Sequence, residues 1–320
     1  MQKKVWKVRN MSREKKDLVI IGSGPAGLSA AVYGKRAMLN EVVIEKDVYG
    51  GGQIAVTERV DNYLGLYGMS GYDLVMKFKE HAKALEVPFY EGEVSHIKCM
   101  DDKKIIVMDD GAEIETKSVI IATGASYKQL GCAGEEELKG AGVSYCATCD
   151  GAFFKNKTVA VVGGGNVALG DALYLANICE KVYLIHRRNQ LRGAKSLQQK
   201  VFEKENIEFL PSKEIKEIIG KESVEKIILQ DVGTTQTEEK NVDGIFVAVG
   251  MQPNSQMVSD IVKTDDNGYI IADESCKTSV DGIYAVGDVR TKQLRQVVTA
   301  VSDGAVAIST LEQDMLKDNG

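Results

Sequence analysis

At 320 residues the chain is long enough for about two domains, and 44 % apolar residues is an ordinary share for a globular protein with a sizeable core. A net charge of −6 and a pI near 5.4 argue against nucleic acid or an anionic membrane as the main partner, because such surfaces need basic patches. No stretch approaches the roughly 18 consecutive apolar residues of a membrane span. Six cysteines without regular spacing do not make a disulfide scaffold and suit a reducing compartment, so a cytoplasmic location is expected. Residues 1–16 are basic and polar, with no apolar run after the charges. They read as a loosely attached arm and not as a secretory signal.

The chain then predicts one unit twice. Residues 17–21 read as a buried strand that runs into Gly22-Ser23-Gly24-Pro25-Ala26-Gly27 and a helix over 28–37. A second apolar strand over 41–44 ends at Glu45, with Lys46 beside it. This is G-x-G-x-x-G in full context. Gly22 allows a tight turn off the strand, Gly24 lets a pyrophosphate approach the backbone at the helix N-terminus, and Gly27 allows close helix–strand packing. Glu45 lies 23 residues after Gly22, where a carboxylate accepts hydrogen bonds from an unphosphorylated ribose. FAD or NAD fits there and NADP does not. An apolar strand ending in Ala122-Thr123-Gly124, over 119–124, closes the unit.

Cys146-Ala147-Thr148-Cys149-Asp150-Gly151 follows. Two cysteines at this spacing can close and reopen a small disulfide, or they can be half of a zinc site, or they can be coincidence. The other cysteines, Cys99, Cys132, Cys179 and Cys276, are scattered singly, and the three histidines form no ligand pair, so no metal is expected. The two flanking nucleotide units favour the redox reading.

The second unit begins with a strand over 158–162. It continues through Gly163-Gly164-Gly165-Asn166-Val167-Ala168, a G-x-G-x-x-A variant, and a helix from 169 to about 177. The strand over 181–185 ends at His186-Arg187-Arg188, with His186 again 23 residues after the first glycine. Arginines replace the acid of the first unit and match a phosphate in charge and fork geometry, so the expected ligand is NADPH; Arg192 and Lys195 add to the pocket. A second closing strand over 245–250 and a third strand–glycine–acid run over 283–288 complete the pattern. The fold class is therefore α/β, with two Rossmann-like dinucleotide-binding domains. The second domain, expected to take NADPH, spans 128–251 and is inserted into the first, made of 1–127 and 252–320, and the short crossings near 125–128 and 251–255 suit a pair of hinges.

These residues together resemble the low-molecular-weight thioredoxin reductases, a branch of the flavoprotein disulfide reductases, from about residue 17 to the C-terminus. The Cys146–Gly151 run matches the redox centre of that family residue for residue. Gly51, Gly52, Gln53, Asn62, Gly287, Asp288, Arg295, Gln296 and Val297 match its remaining FAD contacts. Gly163, Gly165, Asn166, Ala168, His186, Arg187, Arg188 and Arg192 match its NADPH contacts. The resemblance implies hydride transfer from NADPH to FAD, opening of a Cys146–Cys149 disulfide, and reduction of thioredoxin or a thioredoxin-like dithiol protein. It also implies a homodimer. Cys149 faces the flavin in that scheme and Cys146 attacks the partner. Nicotinamide and disulfide meet the flavin in turn through rotation of the inserted domain.

Asp150 is the ionisable neighbour within the motif, which makes it the candidate acid and base; the alternative is a helix N-cap or a solvated loop acid. The chain departs from the family at Val167 (usually Ser or Thr), Gly170-Asp171 (usually two glutamates), Asn189 (often Asp), Leu64 (often Pro) and the extra Gly50. Positions 167, 170 and 171 bear on the electron donor, so NADH or ferredoxin remains an alternative, as does another disulfide acceptor. A flavin-binding redox sensor is a third reading.

Overall fold

The computed structural model describes residues 15–47, 50–57, 59–100 and 103–318. In chain order the elements are β1 (Lys15–Ile21), α1 (Pro25–Arg36), β2 (Glu41–Glu45), α2 (Gly71–Ala84), β3 (Phe89–Glu91), β4 (Val94–Met100), β5 (Lys103–Met108), β6 (Glu113–Ile121) and β7 (Ala125–Tyr127). They continue as β8 (Val143–Ser144), α3 (Ala147–Asp150), β9 (Thr158–Val162), α4 (Asn166–Ala176), β10 (Lys181–His186), α5 (Lys195–Phe202), β11 (Ile207–Pro211), β12 (Lys213–Gly220), β13 (Val224–Asp231), β14 (Thr237–Asn241) and β15 (Gly244–Val247). The last are β16 (Met251–Pro253), β17 (Ile283–Ala285) and α6 (Val297–Asp318). Most of the expected N-terminal arm lies outside the described residues, and its last two, Lys15 and Lys16, already belong to β1.

The chain divides into two compact units, Met1–Ser126 with Gln252–Gly320, and Tyr127–Met251. In the first, parallel strands run in the order β3-β2-β1-β6, and β17 pairs with the C-terminal part of β6. The N-terminal part of β6 pairs antiparallel with β5, and β5 with β4. In the second, the parallel order is β11-β10-β9-β15-β8, and β12-β13-β14 form a separate antiparallel meander. The two units share one plan, in which β6 does in a single strand what β14 and β15 do in two.

Strand alternation explains the layers. Leu18 and Ile20 of β1 face a core with Leu28 of α1 and Ile308 and Leu311 of α6, while Val19 and Ile21 face the other way, onto Ile97, Ile106 and Ile114 of the meander. Because both faces are covered, the strand reads as an unbroken apolar run. The second unit repeats this, with Val159 and Val161 toward α4 and Ala160 and Val162 toward the meander.

The helix after the first glycine loop begins at Pro25, three residues earlier than the sequence pattern indicates, because proline suits the first helical position. Gly27 thus lies in the first turn, and a Cβ there would stand 1.9 Å from the Gly22 carbonyl oxygen. Gly22 itself has φ +105°, and its own Cβ would meet the Ala122 carbonyl oxygen at 2.5 Å. Both positions therefore exclude a side chain.

The two chain crossings, β7 and β16, form a two-stranded ladder. Asn254 ties them on the side of the first unit. Its N–H donates to Gly124 O (3.0 Å) and its Nδ2 to Thr123 O (2.9 Å), while its carbonyl accepts from Thr123 Oγ1 (2.6 Å) and its Oδ1 from Ser126 Oγ (3.1 Å). On the other side the Lys128 N–H donates to Gly250 O at 3.0 Å.

Glu41 opens β2 fully buried, and neither of its carboxylate oxygens has a hydrogen-bond partner among the described residues. It fills the space that a Cβ at Gly34 would take. Burial pushes its pKa from the ordinary 4.5 up to about 8, against a smaller lowering by Lys35. An acid whose pKa is raised by folding costs nothing while it is protonated in both states. Its stability is therefore whole below pH 4.5 and falls as pH climbs through about 8. Glu41→Gln is expected to leave the melting temperature unchanged near pH 4 and to raise stability by a few kcal/mol (about 1.4 per pKa unit) above pH 9. Parallel melting curves of the two proteins from pH 4 to 9 would contradict this.

Candidate active site and nucleotide loops

In the first unit the glycine loop is braced by the acid at the end of β2. Ser23 donates both its N–H and its hydroxyl to Glu45 Oε2 at 2.7 Å, and the Asp47 N–H donates to Oε1 at 3.0 Å. Both lone pairs of Oε2 are taken by Ser23, and Oε1 keeps one for a ribose hydroxyl. Sequence reasoning missed Ser23, although it stands inside the glycine motif. It also missed Lys79 of α2, whose pKa is lowered by burial and raised in part by the Glu45 charge.

Gly50, Gly51 and Gly52 follow with φ of +52°, +92° and +67°, a left-handed run that favours glycine. A Cβ at Gly52 would lie 3.8 Å from Gly24 Cα, and one at Gly287 would lie 3.0 Å from Ala26 Cβ. The structure thus gathers Gly22, Gly24, Ala26, Gly27, Gly51, Gly52, Ala122 and Gly287 at the carboxyl ends of the strands. Gln53 Nε2 donates to Ala125 O, and Asn62 Nδ2 to Gln296 Oε1 at 2.8 Å. Arg295 lies over the Tyr269 ring at 4.1 Å, next to Val297 at the start of α6. Lys46 stands apart, ion-paired with Glu93 at 3.6 Å on the surface.

The Gly287-Asp288 turn is held from α6. The Gly287 N–H donates to Asp303 Oδ2 at 2.8 Å, and Asp303 pairs with Lys292 (2.8 Å) and Arg290 (3.3 Å), all three largely buried. Asp288 Oδ1 is buried with no hydrogen-bond partner among the described residues. Burial raises its pKa, Lys292 and Arg295 lower it, and Asp303 raises it. An orphaned acceptor beside an open glycine cradle fits a hydroxyl-bearing dinucleotide.

In the second unit the loop geometry repeats. A Cβ at Gly163 would meet the Ala248 carbonyl oxygen at 2.4 Å and the Ala168 methyl at 2.7 Å, as Gly22 does with Ala122. Gly165 caps α4 and has nothing within 4 Å of its Cβ direction. Asn166 Oδ1 accepts from the Ala194 N–H at 2.7 Å, and Gly164 O from the Arg192 N–H at 2.7 Å. His186 is buried against Gly164 with Nε2 unpartnered among the described residues. Its pKa is lowered by burial first and then by Arg192, Arg188 and Arg187, so it is neutral at pH 7. The three arginines are exposed. No acid is paired to any of them among the described residues, which leaves a basic cluster open to an anion. The outward face of α4 carries Val167, 66 % exposed, and Gly170, with open space above it. Burial raises Asp171 to about 6.

Cys146 and Cys149 are joined by a disulfide with Cα atoms 5.3 Å apart. Cys146 caps the four-residue α3, its carbonyl accepting the N–H of Cys149 (3.2 Å) and of Asp150 (3.1 Å). Asp150 is thus the last residue of α3 and caps no helix through its side chain. Its Oδ2 accepts the Ser144 hydroxyl at 2.6 Å, and the Ser144 Oγ accepts the Cys146 N–H at 3.1 Å. Tyr145 points the opposite way. It donates to buried Glu135 at 2.7 Å and stacks on Tyr127 at 5.1 Å, and burial drives its pKa far above the phenol range. Burial likewise raises Cys132 and Cys179 to about 11 and Cys276 to about 12, so these remain thiols at neutral pH. Among the described residues no cluster of three or more His, Cys, Asp or Glu could hold a metal, and no helix is long and apolar enough to cross a membrane.

The chain belongs to the pyridine nucleotide-disulphide oxidoreductase family, whose profile matches residues 16–304. A thioredoxin reductase of Peptoclostridium acidaminophilum is 43 % identical over 304 residues, covering 93 % of this chain and 96 % of its own length. The crystal structure of thioredoxin reductase from Streptococcus pyogenes superposes with a TM-score of 0.89 at 42 % identity, covering 97 % of this chain and all of that one. A ferredoxin-flavin thioredoxin reductase from Clostridium acetobutylicum is 30 % identical with a TM-score of 0.51, covering 94 % of this chain and 99 % of its own. These matches bear out the resemblance drawn from the motifs and the α/β fold of two dinucleotide-binding domains. The protein is a flavin- and nicotinamide-dependent disulfide oxidoreductase.

Proposed function

We propose that the protein is an NADPH-dependent thioredoxin-disulfide reductase, working as a cytoplasmic homodimer. The observation that carries this reading is the Cys146–Cys149 disulfide beside a hydrogen-bonded carboxylate, in the same unit as a basic cluster with no acid partner among the described residues. FAD belongs to the first unit, on the Gly22–Gly27 loop, Glu45, Gly51, Gly52, Thr123, Gly124 and the Gly287-Asp288 turn. NADPH belongs to the second, on the Gly163–Ala168 loop, with Arg187, Arg188 and Arg192 around its 2′-phosphate. Bound FAD supplies the two-electron chemistry that turns the disulfide into two thiols, with NADPH as hydride donor. The paired crossings β7 and β16 are short enough to act as hinges.

From the dithiol, Cys146 gives its proton to the Asp150 carboxylate and its thiolate attacks the partner disulfide. A Cys146–partner S–S bond forms, the partner S–S bond breaks, and the departing sulfur takes the proton from Asp150. Cys149 then passes its own proton to Asp150 and attacks Cys146 Sγ. The internal disulfide closes, and the second partner sulfur leaves with that proton. Two electrons and two protons have moved to the partner, which is thioredoxin or a thioredoxin-like dithiol protein.

Ferredoxin or NADH as donor is the second reading. It is favoured by the bare face of α4 at Val167 and Gly170 and by the likeness to a reductase named for ferredoxin. The double variant Arg187→Ala with Arg188→Ala decides. Hydrogen bonds to charged groups contribute roughly 1.5–3 kcal/mol each, so the affinity for NADPH is expected to fall by about one to two powers of ten per arginine. NADH, which lacks the 2′-phosphate, should be little affected. Equal loss for both nucleotides contradicts the phosphate assignment, and a parent protein reduced by neither points to ferredoxin. Steady-state release of thioredoxin thiols separates an enzyme from a redox sensor.

A further inference from the structure

We infer that Ser144 is a positioning residue for the Asp150 carboxylate, tying the group that carries the proton to the backbone of the attacking cysteine. The inference rests on the acid–base role proposed for Asp150. Ser144 ends β8, is 7 % exposed, and is fixed by its register with Phe246 of β15. A serine hydroxyl has one proton and two lone pairs. The proton goes to Asp150 Oδ2 at 2.6 Å, within the short range of hydroxyl-to-carboxylate bonds, and a lone pair takes the Cys146 N–H at 3.1 Å.

The same hydroxyl has a second acceptor, the Cys146 carbonyl oxygen at 3.4 Å. When Asp150 takes up a thiol proton it donates to the Ser144 Oγ, and the serine proton turns to that carbonyl. Both protonation states of Asp150 therefore keep a partner while the carboxyl stays in place. Asp150 is the last residue of a helix only four residues long, and Ser144 reaches its side chain from the neighbouring strand.

Four flavin-loaded proteins test this: the parent, Ser144→Ala, Asp150→Asn and the double variant. Stopped-flow mixing with NADPH reads flavin reduction, and mixing the reduced proteins with disulfide-form thioredoxin reads the exchange. Ser144→Ala is expected to slow exchange about 10–100-fold, the worth of one hydrogen bond to a charged group, with flavin reduction unchanged. The double variant should be no slower than Asp150→Asn, because the serine acts through the carboxylate. Ser144→Thr, which keeps the hydroxyl, should restore the rate. The inference is overturned by a parental exchange rate in Ser144→Ala, by a slowing that multiplies in full on Asp150→Asn, or by a Ser144→Thr protein as slow as the alanine variant. An Asp150→Asn protein that exchanges at the parental rate overturns the reading of Asp150 as well. A slow Asp150→Asn beside a parental Ser144→Ala overturns the serine alone.

Discussion

Replacing Cys146 or Cys149 by serine is expected to abolish disulfide reduction while FAD stays bound. The two sulfurs form the single disulfide of the described residues, and the other cysteines bring no substitute. Cys132, Cys179 and Cys276 are held as thiols by burial, and Cys99 is an isolated surface residue on β4. A serine oxygen forms no disulfide, so neither the internal bond nor the bond to the partner can be made from that position. The pair lies in the second unit and the glycine cradle assigned to FAD in the first, so the yellow colour should persist in both variants. Near-normal turnover in either one contradicts the assigned redox centre. Loss of flavin from both points to a structural role for the pair.

Asp150→Asn carries the second large effect. Asparagine keeps the size of aspartate and an acceptor for the Ser144 hydroxyl, but it carries no proton at neutral pH. Positioned acid–base groups contribute about 10²–10⁴-fold, and the dithiol–disulfide exchange should slow by that range. Flavin reduction by NADPH is a hydride transfer that does not use this proton and should keep its rate. Rapid mixing with NADPH alone reads the first step, and turnover with a protein disulfide reads the second. Equal slowing of both would report a displaced unit, and no slowing of either would leave Asp150 a purely structural acid.

The parts that were legible in the sequence share a physical reason. β1, β2, β9 and β10 are covered on both faces, so they stand out as unbroken apolar runs between glycines, and the register of Glu45 and His186 follows from them. The meanders were harder to see. In β12, β13 and β14 lysines and glutamates alternate with a few apolar residues, because one face of that sheet meets water. Across 203–226 this mixture covers β11, β12 and the start of β13, with β12 and β13 paired antiparallel. β6 was seen only in its apolar second half, since Glu113–Ser118 alternates with charge. In the redox motif the cysteines and Asp150 were visible from their spacing. Ser144 was not, because it stands two residues ahead of the motif and nothing in its own neighbourhood signals that the chain folds back to Asp150. The Asp303 cluster was hidden for a similar reason, 16 residues from the Gly287 N–H it holds.

The most direct measurement follows the cysteines themselves. The flavin-loaded protein is mixed anaerobically with one equivalent of NADPH, quenched with an alkylating reagent and digested for peptide masses. NADPH-dependent label is expected on Cys146 and Cys149 together, and disulfide-form thioredoxin should prevent it while acquiring two thiols of its own. A protein whose flavin is reduced by NADPH but whose Cys146–Cys149 peptide stays unlabelled, or whose label is indifferent to thioredoxin, contradicts this.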